Sequence, residues 1–199
     1  VRDIACMAAM PGLIALEPSC PEAVSGALRW AVEQSKGSVY LRLVSVPFEL
    51  GFEWNGGSWK VGQGFKVVSQ ITKSAEREAV VFAYGPIFLT EAVKAASLLS
   101  QSNVSCTVYD MPWLNIVDPD WMSDAIAKCD VVVSIDNHYS IGGQGDRIAS
   151  VIAECASSAS LLRVSVDRIP ECGLNDEVIK VHQMDSESIA RRVLTHLNG

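Results

Sequence analysis

One stretch near the middle of the chain constrains the fold more than any other. Residues 131–135 form a nearly unbroken apolar run, which is enclosed by Asp130 and Asp136. An apolar run of this length between charged residues is typical of a strand that is covered on both faces. The stretch therefore predicts a buried strand within a sheet.

A glycine-rich turn follows this strand and leads into a helix. The turn contains Gly142, Gly143 and Gly145. Apolar residues then recur at the spacing of one helix face, at Ile148, Val151, Ile152 and Cys155. A buried strand that passes through such a turn into a helix is an α/β unit, and these folds usually bind ligands at the carboxyl edge of the sheet.

The composition excludes several classes of partner. The chain of 199 residues carries a net charge of −7, whereas nucleic acids and anionic membranes require a basic surface. No apolar run approaches the roughly 20 residues of a membrane span. The six cysteines are scattered and form no ligand cluster, which favours reduced thiols in a cytoplasmic protein and predicts no metal site.

The pattern of the sequence changes twice and divides the chain into three parts. Residues 1–46 alternate strand and helix patterns but are too few for a complete sheet domain, so we expect the chain to be a piece of a longer protein. Residues 47–78 mix glycines with Trp54 and Trp59, and they predict a surface linker, anchored by the tryptophans, with a strand or hairpin. Residues 79–199 predict a mostly parallel sheet, because strand and helix patterns alternate with short connections.

Local patterns place the elements within these parts. Pro21 and Glu22 predict a helix start, and the strand expected after this helix covers 39–44. The predicted apolar face of this helix consists of Val24, Ala27, Leu28, Ala31 and Val32. Asp185 is the expected N-cap of the last helix.

The glycine turn has two interpretations. The N–H groups and the dipole at a helix N-terminus can bind an anion, which makes Gly142, Gly143 and Gly145 candidate anion-binding residues. The turn nevertheless departs from the nucleotide-binding fingerprints, because Ile148 stands where the dinucleotide pattern has its third glycine. We favour the alternative that the glycines allow a tight turn and close helix–sheet packing.

His138 is the second candidate residue. It lies just past the predicted strand and two positions after Asp136, so both side chains point the same way in an extended segment. A carboxylate beside the ring would favour a proton-carrying role. We favour a histidine at the rim of a domain or subunit contact, since no nucleophile elbow, zinc-binding helix motif or carboxylate pair accompanies it.

An ordered set of short motifs resembles the transketolase family. Residues 3–12, 17–22 and 39–43 are similar to the end of that family's pyrimidine-binding domain, and residues 80–86, 109–115 and 134–145 are similar to its C-terminal domain. The resemblance covers essentially the whole chain. It implies an α/β fold with a partial pyrimidine-binding domain over 1–46, a linker over 47–78, and a three-layer α/β/α domain over 79–199.

The resemblance also implies thiamine diphosphate and Mg²⁺ as cofactors of the complete enzyme, which would transfer a two-carbon or acyl unit. In this family the glutamate that activates the cofactor and the segment that binds diphosphate and Mg²⁺ precede the part of the sequence seen here. We therefore expect no catalytic residue and no bound cofactor in this chain alone. Its expected partner is a second copy, in a homodimer, or a complementary N-terminal half or subunit.

One substrate contact of the family should fall within this chain. The arginine that reads the sugar phosphate in transketolases aligns with Ser45, which cannot supply a bidentate charged fork. Arg42 is separated from Ser45 by an odd number of positions, so the two side chains would point to opposite faces of a strand. Ser45 and His138 are thus the candidate substrate contacts, and the resemblance does not extend to sugar-phosphate binding.

Two further hypotheses stand beside the transketolase-like one. The chain could be a non-catalytic assembly or regulatory module that uses the same fold for dimer contacts. It could also be an anion- or nucleotide-binding domain that acts through the turn at 142–145.

Overall fold

The computed structural model of the protein describes residues 2–199. Helices and strands alternate along most of this range, as the sequence predicts. In chain order they are α1 (Asp3–Ala8), β1 (Ile14–Leu16), α2 (Pro21–Glu33), β2 (Val39–Leu41), β3 (Phe65–Gln70), β4 (Arg77–Ala83), α3 (Pro86–Gln101), β5 (Val104–Asp110), α4 (Pro119–Ile126), β6 (Val131–Tyr139), α5 (Gln144–Glu154), β7 (Ser160–Val166), α6 (Asn175–Val181) and α7 (Ser186–Asn198).

Five strands form the main sheet, in the order β3-β5-β4-β6-β7. The pairs β5–β4, β4–β6 and β6–β7 are parallel, and the edge strand β3 pairs antiparallel with β5. The strands β1 and β2 form a separate two-stranded parallel sheet. The predicted mostly parallel α/β architecture is confirmed.

Strand β6 shows how helices cover both faces of the main sheet. Val131 and Val133 pack in the core that α3 and α7 share, whereas Val132 packs in the core that α4 and α5 share. Successive side chains of a strand point to opposite faces, so the apolar run supplies both cores. The prediction of a strand buried on both faces is confirmed.

Three elements differ from the sequence patterns. Strand β6 continues to Tyr139, past the predicted end at 135, so His138 lies within the strand. Strand β2 ends at Leu41 and is shorter than the predicted 39–44. Helix α6 was not predicted, and it has no buried residue among its seven, so no apolar periodicity marks it.

The predicted apolar face of α2 is confirmed at Ala27 and wrong at Leu28 and Val32. Ala27 and Trp30 are buried, whereas Leu28 and Val32 are 49% and 83% exposed. The Trp30 ring packs edge-on against Trp113, with ring centroids 4.8 Å apart. An apolar stripe on a helix predicts that this surface is buried. It does not show whether the same chain or another protein buries it.

The segment before β3 lies against the edge of the main sheet. The Trp54 indole N–H donates a hydrogen bond to Asp110 Oδ2 at 2.8 Å. The rings of Trp54 and Trp59 both pack on Phe65, with centroid separations of 5.3 and 5.2 Å. The predicted anchoring role of both tryptophans is confirmed.

The cysteines of residues 2–199 form no disulfide. All six cysteines are free, and Cys106 and Cys129 are buried. Within the same range, every helix is too short or too polar to span a bilayer. The division of the chain at 46 and 78 remains a prediction.

Candidate functional site

The carboxylate of Asp136 organises the carboxyl edge of the main sheet. It accepts hydrogen bonds from the backbone N–H groups of Gln144 and Gly145, both at 2.9 Å, and from the Tyr84 hydroxyl at 3.2 Å. Burial raises the pKa of Asp136, and the two backbone donors oppose that rise. An acid in this place satisfies the first N–H groups of α5 and interacts favourably with the helix dipole.

The glycine turn is filled by the protein's own carboxylates. The Gly142 N–H donates to Asp146 Oδ2 at 2.6 Å, and Asp136 occupies the amides of Gln144 and Gly145. An external anion at Gly142, Gly143 and Gly145 would have to displace both carboxylates. The packing interpretation of the turn accounts for these contacts without a ligand.

Gly142 permits the contact between this turn and α1. Its φ angle is +77°, and an added Cβ would lie 2.5 Å from Ala5 Cβ. We expect Gly142→Ala to lower the free energy of unfolding by about 1–3 kcal/mol, because strain and overlap add. Urea denaturation measures this loss. Gly57→Ala is the matched control, since an added Cβ there meets nothing within 4 Å. Equal effects of the two substitutions would contradict the prediction.

His138 is a buried contact between α1 and β6. Its Nε2 accepts from the Ala5 N–H at 3.4 Å, and its Nδ1 lies 2.9 Å from the Tyr139 carbonyl oxygen. These partners place the ring proton on Nδ1. The ring lies between the N-terminal segment and the main sheet, as a domain contact does, but it is buried rather than at a rim.

The alternative in which Asp136 pairs with His138 is not realised. The Asp136 carboxylate bonds to α5 and Tyr84, and the His138 ring bonds to α1 and Tyr139. The pairing of β6 with β7 shifts register between Asp136 and Tyr139. Such an irregularity breaks the two-residue period on which the prediction depended.

An ion-pair cluster joins α1, β1 and the end of β2. Arg42 contacts Asp3 at 2.7 Å through Nε and Glu17 at 2.5 Å through Nη1. Burial raises the pKa of Glu17, and the Arg42 charge opposes that rise. Gly85, with φ +70°, leaves room for this carboxylate, since an added Cβ would overlap Glu17 Oε1. Arg42 is therefore engaged within the protein.

Ser45 lies outside this cluster. It is exposed and follows the end of β2 in an irregular segment. The two candidate substrate contacts differ in accessibility, because Ser45 is exposed and His138 is buried against α1.

Asp110 is a site residue that the sequence analysis missed. Its carboxylate, at the end of β5, is fully buried and accepts from the Ser19 hydroxyl and the Trp54 indole N–H, both at 2.8 Å. Burial raises the pKa of Asp110 to about 7, although both donors lower it. One carboxylate thus ties the start of α2 and the linker to the main sheet. These partners are remote in sequence, so no local pattern reveals them.

Comparison with known proteins identifies the family. The family model described as "Transketolase, C-terminal domain" matches residues 69–189, which is more than half of the chain. The chain belongs to the transketolase family.

Relatives of this transketolase-family chain extend the likeness to residues before 69. A Methanocaldococcus jannaschii protein named for the C-terminal section of transketolase is 28% identical, over 98% of this chain and 59% of its own length. Human transketolase is 27% identical over 97% of this chain and 30% of its own length. The chain thus spans less than two thirds of these relatives.

A solved structure has the same fold. A split-gene transketolase, described as an inactive β4 tetramer, superposes with a TM-score of 0.83 at 20% identity, over all of this chain and 61% of its own. The three-layer transketolase C-terminal fold is confirmed.

Within residues 2–199, no three His, Cys, Asp or Glu side chains are grouped so that they could hold a metal ion. The buried carboxylates of Asp110 and Asp136 are already bonded to donors of the protein.

Proposed function

We propose that this chain is the C-terminal portion or subunit of a transketolase-like enzyme that uses thiamine diphosphate and Mg²⁺ to transfer a two-carbon or acyl unit. The observation that carries the proposal is the family match over 69–189, continued by a relative that is aligned with 98% of the chain. Both cofactors would be bound by a complementary N-terminal half, and the chain alone would be inactive. The six free cysteines support a cytoplasmic enzyme.

The role of this chain in the enzyme would be structural. Its N-terminal segment is fastened to the main sheet by His138 and Asp110, so the two parts present one joint surface. The exposed Leu28 and Val32 are spaced four positions apart and share one face of α2. We assign this face to contact with the complementary N-terminal half.

The substrate remains a separate part of the proposal. Ser45 is exposed and could contact a substrate held by the complementary half, whereas Arg42 is held by Asp3 and Glu17. A serine offers a hydroxyl rather than a guanidinium, so we propose that a sugar phosphate is not read at this position. Two copies of the assembled enzyme would form a dimer, as the family resemblance implies.

Reconstitution tests the proposal. The intact mass of the natural gene product, compared with 21.5 kDa for this chain, shows whether the complementary half is fused or separate. Calorimetry should detect no micromolar binding of thiamine diphosphate with Mg²⁺ to the chain alone. Binding and transfer activity should appear when the complementary half is present. Micromolar binding to the chain alone would overturn the placement of the cofactor site.

The contact face of α2 is tested by charge substitution. The double variant Leu28→Glu with Val32→Glu should weaken association of the two halves by about tenfold or more, because the contact would bury unpaired charge. Ile169→Glu is the matched control, since Ile169 is 85% exposed and lies outside α2. Association at the wild-type strength in the double variant would exclude this face.

A further inference from the structure

A pocket of about 450 Å³ lies at the carboxyl end of β7, beside the end of α6 and the first half of α7. Positively charged side chains dominate its lining, although the whole chain has a net charge of −7. Its charged and polar lining residues include Ser140, Arg163, Asp167, Arg168, His182 and Arg192. The lining thus holds three guanidinium groups and one carboxylate.

His182 contributes a hydrogen-bond donor without an acceptor. The side chain lines the pocket and is 7% exposed. Its Nε2 accepts from the backbone N–H of Glu171 at 3.3 Å, so the ring proton lies on Nδ1. Within residues 2–199, Nδ1 is buried and has no hydrogen-bond partner. Unsatisfied buried donors are rare and costly, so His182 adds an unpartnered polar group to the wall of this pocket.

The arginines are held in place by the backbone. Arg192 donates through Nη2 to the Arg163 carbonyl oxygen, and Arg168 donates through Nη2 to the Val181 carbonyl oxygen, both at 2.7 Å. Each bond fixes one nitrogen of a guanidinium and leaves its other donors for a ligand. Arg163 is already neutralised by Asp146, at 2.8 Å. Arg168 and Arg192 are therefore the cations that a ligand would meet.

Partial burial of Arg192 favours an anionic ligand. Burial lowers the pKa of the Arg192 guanidinium, and the Asp167 carboxylate opposes this change. Asp167 is exposed and is the one carboxylate among the lining residues. An anion that enters the pocket would compensate the desolvated charge, and guanidinium groups bind the oxygens of phosphate through paired hydrogen bonds.

We propose that this pocket binds a phosphate group, either as inorganic phosphate or as the monoester of a small metabolite. Arg168 and Arg192 bind the phosphate oxygens through the guanidinium donors that the backbone leaves unused. The volume exceeds that of phosphate alone, so the pocket also has room for the organic part of a monoester. This inference does not depend on the proposed thiamine-dependent function.

The test uses inorganic phosphate with the full chain. Phosphate should raise the melting temperature saturably, compared with chloride at equal ionic strength, because it binds the folded state. Titration calorimetry should give a dissociation constant that Arg192→Gln and Arg168→Gln each weaken by about tenfold. Arg168 is exposed, so its variant decides the matter if Arg192→Gln fails to fold.

Arg191→Gln is the matched control. Arg191 lies next to Arg192 on α7 but is exposed, bonds to Ser188 Oγ and does not line the pocket. Its variant should bind phosphate as the unmodified chain does. Three results would overturn the proposal: no saturable response to phosphate, a response that neither pocket variant weakens, or an equal response to acetate.

Discussion

Replacement of Asp136 by alanine is expected to lower the free energy of unfolding by about 3–5 kcal/mol. The buried carboxylate accepts from the Gln144 and Gly145 amides and the Tyr84 hydroxyl, and alanine leaves all three donors without an acceptor. Asp136→Asn keeps one acceptor oxygen and should lose about half as much. Urea denaturation measures both losses.

Hydrogen exchange separates this capping role from a general loss of packing. The Gln144 and Gly145 amides should exchange faster in Asp136→Ala than in the unmodified chain, by more than the global loss of stability requires. Asp120→Ala removes an exposed carboxylate and should change stability by less than about 0.5 kcal/mol. A loss below about 1 kcal/mol in Asp136→Ala would contradict the assigned role.

Asp110 should make stability depend on pH. Burial raises its pKa from 3.8 to about 7, so between these values the folded protein keeps a proton that the unfolded chain has released. The free energy of unfolding should therefore fall as pH rises from about 4 to about 7, by about 1.4 kcal/mol per pH unit from this group at most. Above about pH 7 the carboxyl is ionised in both states, and the loss is complete.

Asp110→Asn isolates this contribution. The amide oxygen can accept from the Trp54 indole, and the amide NH₂ can donate to Ser19 Oγ, so both contacts survive without a titrating group. Glu17 and Asp136, whose pKa values are also raised by burial, are common to both proteins. The difference in unfolding free energy between variant and unmodified chain should grow from pH 4 to pH 7. If the curves of unfolding free energy against pH are parallel for the two proteins, Asp110 titrates as an exposed acid does and the prediction is wrong.

Patterns confined to one element predicted much of the fold. The unbroken apolar run of β6 predicted two covered faces because successive side chains of a strand point to opposite faces. The spacing of Ile148 and Val151 predicted the buried face of α5, and Asp185 was predicted as the cap of α7, where its carboxylate accepts from the Ser188 N–H. Each of these patterns is confined to a single strand or helix.

The site could be predicted only in part, because its contacts join distant segments. A pair of Asp136 with His138 was weighed only as an alternative, and the bonds from Asp136 to the amides of α5 were not predicted. The bond between Trp54 and Asp110 crosses 56 positions, and no periodicity encodes it. On α2, the buried side chains include Ala27 and Trp30, whereas Leu28 and Val32 of the predicted face remain on the surface.

The pairing of β3 limits where the polypeptide can be divided. A cut at residue 79 would remove Phe65–Gln70 from the antiparallel partner β5 and leave the N–H and C=O groups of that strand without partners. Bare strand edges pair with other chains, so a recombinant fragment that starts there should aggregate. A cut between residues 47 and 64 would leave all five strands of the main sheet together. For expression or gene fusion, the junction should therefore precede Phe65, with β3 retained in the downstream fragment.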